Sequence, residues 1–156
     1  MDAHPKIHIR PARLSDLHAM NRVKTGATMG MIGPHFRIVR LQHARNPKSS
    51  FGTAASWRGA MVAEVEGRAV SVFRTRGALF SDLWVDRDVR SLGIGAKLAR
   101  AGENRIRADG HRFTYLLTAL FNARGQAFYE RNGWTLARFT QHRVFHFRRC
   151  VYVRRL

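Results

Sequence analysis

Polar and apolar positions along this chain follow two rhythms, one of period two and one of period 3.6. Lys6-Ile7-His8-Ile9-Arg10 alternates at every residue and predicts a first strand, broken at Pro11. Ser15 then stands as a helix N-cap, and Leu14, Leu17, Met20 and Val23 recur at helical spacing up to about Lys24. Gly26 to Pro34 reads as a glycine-rich linker, followed by a second short helix that includes Phe36 to His43 and a loop at Asn46 to Ser50. Ala60 to Val65 and Arg68 to Arg74 flank Glu66-Gly67, a workable hairpin turn, and Ala78 to Val85 predicts the next strand.

The helical period returns from Gly93 to Asp109. Ile94, Leu98 and Ala101, with Gly95, Ala99, Gly102 and Ile106, make one apolar stripe, while Lys97, Arg100, Glu103, Asn104 and Arg107 are expected to face water. Gly110 can stop this helix. Phe113 to Leu120 is a continuous apolar run, as expected of a strand buried on both faces. Asn122 to Asn132 reads as a helix ended by Gly133, and Trp134 to Thr140 and Val144 to Val153 as two final strands. The order β-α-α-β-β-β-α-β-α-β-β, without repeats or low-complexity segments, predicts an α/β fold in a single domain over residues 1–156.

Composition narrows the class. The hydrophobic fraction of 45% is ordinary for a globular chain. Cys150 is the lone cysteine, which excludes an internal disulfide and suits a reducing compartment. Met1 to Lys6 is polar with no apolar signal core, and no run approaches the roughly 18 apolar residues that cross a membrane. The expectation is a soluble cytoplasmic protein. The formal net charge of +18 is the unusual feature. Asp16 is the one acid between Ala3 and Ala63, and none follows Glu130. Such a chain is either a well-solvated basic protein or one with a polyanionic partner such as RNA, the ribosome or an anionic surface.

The most informative segment is Leu83 to Leu98: a strand, a turn with two glycines, then a helix start. Glycines let a ligand approach the backbone, and a helix start offers unpaired N–H donors and a positive dipole end to phosphate. Two familiar phosphate loops do not fit. The dinucleotide fingerprint G-x-G-x-x-G would need a third glycine where Leu98 stands, and no acid follows at the expected distance, at Phe113 to Leu116. The nucleotide P-loop would need a hydroxyl after Lys97, where Leu98 again stands. What remains is R-x-x-G-x-G, formed by Arg90, Gly93 and Gly95. A second motif runs Asn122-Ala123-Arg124-Gly125-Gln126-Ala127-Phe128-Tyr129-Glu130-Arg131-Asn132-Gly133-Trp134.

The first motif resembles the coenzyme A pyrophosphate loop of the GCN5-related N-acetyltransferases, the GNAT superfamily. The second is similar to that family's N-x-x-A-x-x-F-Y-x-x-x-G-F, with Gly125 where alanine is usual and Trp134 in place of phenylalanine. The resemblance covers roughly residues 7 to 137. It implies a mixed central sheet, splayed open to admit the pantetheine arm and flanked by helices on both faces, with acetyl-CoA as cosubstrate.

It also implies roles for named residues. Backbone amides of Trp84 and Val85 would hold the pantetheine arm and polarise the thioester carbonyl. Arg90 and the turn amides of Ser91, Leu92, Gly93, Ile94, Gly95 and Ala96 would hold the pyrophosphate. Asn122 would orient the coenzyme arm, unless it serves as an N-cap, and Phe128 would line the cofactor site. Tyr129 would be the general acid that protonates the leaving thiolate, unless it only packs beside Phe128. For a general base the sequence offers Asp82 and Glu64, each of which could equally be paired with an arginine, and bulk water could replace both. The eight histidines are scattered; His142 and His146 could share a strand face, but no third ligand has suitable spacing, so no metal site is expected. Cys150 sits among arginines that could lower its pKa or is simply a packed thiol. Trp57 and Trp84 could line a substrate cleft or belong to the core.

Two function classes follow. One is an acetyl-CoA-dependent N-acetyltransferase acting on a primary amine, including an acceptor on a ribosomal protein or an aminoacyl-tRNA. The other is a basic coenzyme A- or RNA-binding module without catalysis. The last two strands would also suit a homodimer.

Overall fold

The computed structural model describes residues 6–32, 57–90, 92–143 and 146–156. The expected helix over Phe36 to His43, the loop at Asn46 to Ser50, and Ser91 lie outside the described residues. The strands are β1 (Ile7–Pro11), β2 (Met61–Val65), β3 (Arg68–Arg76), β4 (Leu79–Val85), β5 (Phe113–Ala119), β6 (Thr135–Gln141) and β7 (Arg148–Arg155). The helices are α1 (Leu17–Ile32), α2 (Ile94–Ala108) and α3 (Ala123–Arg131). Hydrogen-bonded neighbours run β1-β2-β3-β4-β5-β7-β6, a seven-stranded mixed sheet of the α/β class that the element order predicted. The parallel pairing of β4 with β5 is confined to Leu79↔Tyr115. The other registered pairs, β1 with β2, β2 with β3, β5 with β7 and β6 with β7, are antiparallel.

The chain divides into two compact units. The first comprises Met1–Arg74 and Asp82–Ala99. Its described core joins Ala12, Met20, Ala60, Val62, Ala69 and Val72, with Leu17, Ala19, Trp57 and Trp84 packed against it. Pro11 ends β1 rather than preceding its end, paired with Met61. The first turn after it is a short 3-10 helix, Leu14–Asp16, whose cap is Arg13, not Ser15: Asp16 Oδ2 accepts the Arg13 N–H at 2.7 Å. Arg10 closes this corner by donating to both Asp16 and Glu64, at 2.7 Å each. Helix α1 continues past Lys24 to Ile32, so the residues read as a linker from Gly26 onward are helical as far as Ile32. Two glycines cost a helix only about 1 kcal/mol each, and Ala27, Met29 and Met31 are good helix formers that stay partly buried. The β2–β3 hairpin turns at Glu66 and Gly67, both left-handed at φ 51° and 77°, the pattern of a twist-matched two-residue turn.

The second unit comprises Thr75–Ser81 and Arg100–Leu156. Phe80, Ile106, Leu116, Trp134, Cys150 and Tyr152 are its buried apolar residues of largest consequence. Phe80 meets Trp134 edge-on, with ring centroids 6.2 Å apart. Glu103 does not face water: it is buried and meets Arg154 at 3.4 Å. Strand β5 is not buried on both faces but alternates, with Phe113 and Tyr115 exposed and Thr114 and Leu116 buried. A continuous apolar run carries no information about which face is covered.

Candidate functional site

The glycine turn after β4 is built by local rules. A 3-10 turn, Arg87–Val89, follows the strand and buries Val89. Arg90 is extended and donates Nε–H to the Val85 carbonyl at 3.4 Å, which folds the loop back on its own strand. Gly93 has φ 73°, a left-handed conformation that side chains strain to adopt, and the space where its Cβ would lie is open. Leu92 and Gly93 are exposed, whereas the Ile94 side chain is core, so Ile94 can offer a ligand only its backbone. Helix α2 starts there. Its first internal bond outside the regular ladder is Lys97 N–H to the Gly93 carbonyl at 3.1 Å. The N–H groups of Ile94, Gly95 and Ala96 lie ahead of that bond, where a helix has no internal acceptors. Three such donors at the start of a 15-residue helix, beside an open glycine, fit a pyrophosphate.

Strand β4 brings Asp82 and Trp84 to the first unit. Asp82 is buried, and its carboxylate is already engaged. Lys24 from α1 donates to Oδ1 at 3.0 Å, Arg74 from β3 to Oδ2 at 2.6 Å, and the Trp84 indole N–H to Oδ1 at 3.2 Å. Burial opposes its ionisation, but Lys24 and Arg74 overcome that and hold the pKa below the ordinary aspartate value. A carboxylate so held is a poor base and a poor partner for a cationic acceptor. Asp82 thus takes the cation pairing that the sequence left open beside the role of base. Glu64 gives Oε2 to Arg10 Nε and Nη2, at 2.8 and 2.7 Å, the arginine pairing that the sequence left open. The sequence held no sign of Lys24 and Arg74, because Asp82 meets them only through tertiary packing. Val85 is half-buried at the end of the strand.

The second motif forms α3 and its cap. Asn122 is the N-cap: Oδ1 accepts the Gly125 N–H at 3.1 Å, and Nδ2 donates to Thr118 Oγ1 at 2.9 Å. A Cβ on residue 125 would meet the Asn122 carboxamide, which caps α3 at this glycine. Tyr129 packs edge-on against Phe128 and Trp134 and tilted against Tyr152, at centroid distances of 5.4, 6.1 and 5.8 Å. Desolvation pushes its pKa up to about 12. Its phenol is thus neutral and a proton donor throughout the physiological range. Its neighbour Tyr152 donates its hydroxyl to Glu130 at 2.8 Å.

Other candidates resolve into structure. Cys150 is buried against Gln126, and burial raises its pKa despite Arg148, so it is a packed thiol. His142 stacks on Phe147 and lies beyond the end of β6, while His146 has φ 56° and precedes β7, so the two do not share a strand face. Among the described residues no group of three or more His, Cys, Asp or Glu side chains is placed to hold a metal ion. No described helix is long and apolar enough to cross a membrane.

Comparison with known proteins adds to this geometry. A family model described as the acetyltransferase (GNAT) family matches residues 25–134. Among solved structures, PaiA N-acetyltransferase from Thermoplasma acidophilum in complex with coenzyme A is 15% identical, with a TM-score of 0.79 over 97% of this chain and 99% of that one. A GCN5-related N-acetyltransferase from Rhodopseudomonas palustris is also 15% identical, with a TM-score of 0.80 over 99% and 97%. Apo YjaB from Escherichia coli is 14% identical, with a TM-score of 0.77 over 95% and 97%. No protein of curated function matches the chain significantly.

Proposed function

This chain belongs to the acetyltransferase (GNAT) family, and we propose that it moves an acetyl group from acetyl-CoA directly to a primary amine. The observation that carries this reading is the start of α2, where Gly93 and the N–H groups of Ile94, Gly95 and Ala96 make a cradle suited to pyrophosphate. Arg90, Ser91 and Leu92 complete the loop in this reading, and the backbone of Trp84 and Val85 holds the pantetheine amides and the thioester carbonyl. Asn122 orients α3 through its cap, and Phe128 and Tyr129 serve the thioester end. Acetyl-CoA supplies the activated acyl group.

Proton accounting limits what Tyr129 does. The acceptor nitrogen loses a proton overall and the thiolate gains one. A phenol with a pKa near 12 cannot end the reaction as tyrosinate beside a thiol of pKa about 8.5, because that transfer is uphill by several pKa units. Tyr129 therefore donates a hydrogen bond that strengthens as sulfur becomes anionic, and passes its proton only as the proton shed from nitrogen restores it. The amine enters neutral. With Asp82 and Glu64 both engaged by cations, water takes the proton from the ammonium form.

The test is release of free thiol from acetyl-CoA in the presence of a panel of primary amines. At least one amine should accelerate release, and Tyr129→Phe should slow it about 100-fold while acetyl-CoA still binds. An unchanged rate in Tyr129→Phe rejects the acid assignment. Absence of amine-dependent release across amino acids, peptides and polyamines rejects the transfer itself and favours a binding module.

A further inference from the structure

Cross-strand register sorts β5, β7 and β6 onto two faces. Thr114, Leu116, Cys150 and Tyr152 belong to the covered face and are buried. The opposite face sets Phe113 beside Arg155, Tyr115 beside Val153 and Leu117 beside Val151. Strand β6 adds Arg138 in line with Val151. The Phe113 end of this face is open, with Phe113 59% and Tyr115 40% exposed, whereas Val151, opposite Arg138, is buried.

The two rings stand two residues apart on one strand, about 6.8 Å, or twice the spacing of stacked bases along a duplex. Each ring can thus receive its own unstacked base. The charge around them is one-sided. The second unit holds thirteen arginines and no lysine, against the three carboxylates Glu103, Asp109 and Glu130. Glu103 is committed to Arg154 and Glu130 accepts the Tyr152 hydroxyl, both from the covered face. Arg138 and Arg155 are exposed at opposite sides of the ring pair. A second copy of this chain carries the same arginine excess, so self-association through this face would set like charge against like.

We infer that the open face of β5, β7 and β6 docks single-stranded nucleic acid, with Phe113 and Tyr115 stacking on bases and Arg138 and Arg155 contacting phosphates. The inference is independent of the transfer reaction. It is tested with the full chain by fluorescence anisotropy, using labelled oligo(U) and oligo(dT) of about ten nucleotides, with salt varied from about 50 to 200 mM and heparin as a polyanion without bases. Binding of either oligonucleotide supports the inference, and the ratio between them identifies the preferred sugar. Phe113→Ala with Tyr115→Ala should weaken oligonucleotide binding about 10-fold or more and leave heparin binding unchanged, whereas Phe113→Tyr with Tyr115→Phe should retain affinity. Arg138→Gln with Arg155→Gln should reduce the logarithmic salt slope by about two. These positions are exposed, so melting temperatures should move little. Equal oligonucleotide affinity in wild type and the double alanine variant overturns the inference, as does no binding at about 150 mM salt. So does sedimentation showing a dimer that the double alanine variant dissociates.

Discussion

Replacing Asp82 by asparagine separates a structural carboxylate from a catalytic one. The side chain is 6% exposed, with Lys24 Nζ at 3.0 Å and Arg74 Nη2 at 2.6 Å, themselves 22% and 14% exposed. Removing one member of a buried, hydrogen-bonded charge cluster costs about 3–5 kcal/mol, because the remaining charges lose their counter-ion without regaining water. For a chain of this length each kcal/mol corresponds to roughly 2–4 °C, so Asp82→Asn should melt about 10 °C below wild type at pH 7. Lys24→Met alone should cost far less, since Arg74 still pairs with Asp82. The double variant should melt above Asp82→Asn, because removing Lys24 relieves its repulsion with Arg74. Circular dichroism melts measure all three. Thiol release, assayed well below the melting transition, should fall less than about 3-fold in Asp82→Asn. Melting within about 2 °C of wild type would refute the charge-cluster argument. A loss of turnover above 100-fold, with the acid limb of the pH profile abolished, would return Asp82 to the role of base.

Asp16 and Asp82 both have folded-state pKa values below the ordinary 3.8, so their stabilisation is complete above that pH and fades as pH falls through the lower folded values. An acid titration of the melting temperature should show this loss below about pH 4, and Asp82→Asn should flatten it. With Tyr129 at about 12, transfer should rise with pH as the amine is deprotonated and show no Tyr129-dependent fall before about pH 10; a downturn near pH 9 that vanishes in Tyr129→Phe would contradict the donor role. Gly93→Val should weaken acetyl-CoA binding, measured calorimetrically, and cost about 1–2 kcal/mol of stability through its left-handed φ of 73°.

What was legible in the sequence was local. The Glu66-Gly67 turn, the start of α2, one residue past the expected Gly93, and the cap at Asn122 depend on a few adjacent residues and form close to where the pattern placed them. What was missed depends on residues far apart in the chain. Glu103 falls on the polar side of the helical pattern, yet Arg154 from β7 draws it into a buried pair. For Asp82 the sequence left base and arginine pairing open, because Lys24 and Arg74 reach it from α1 and β3. The end of α1 was misplaced because Gly26 and Gly30 suggest a break that their small helix penalty does not enforce. In the candidate site the glycine turn could be read directly, while the surroundings of the acids could not.

If the glycine turn holds acetyl-CoA, the full chain binds it through that turn. The most direct measurement is calorimetric titration of acetyl-CoA into the full chain at about 150 mM salt, alongside Gly95→Trp, with heparin as the charge control. Saturable binding at one site per chain, lost in Gly95→Trp and not displaced by heparin, is the predicted result. No binding of acetyl-CoA, or equal binding by Gly95→Trp, would contradict the account.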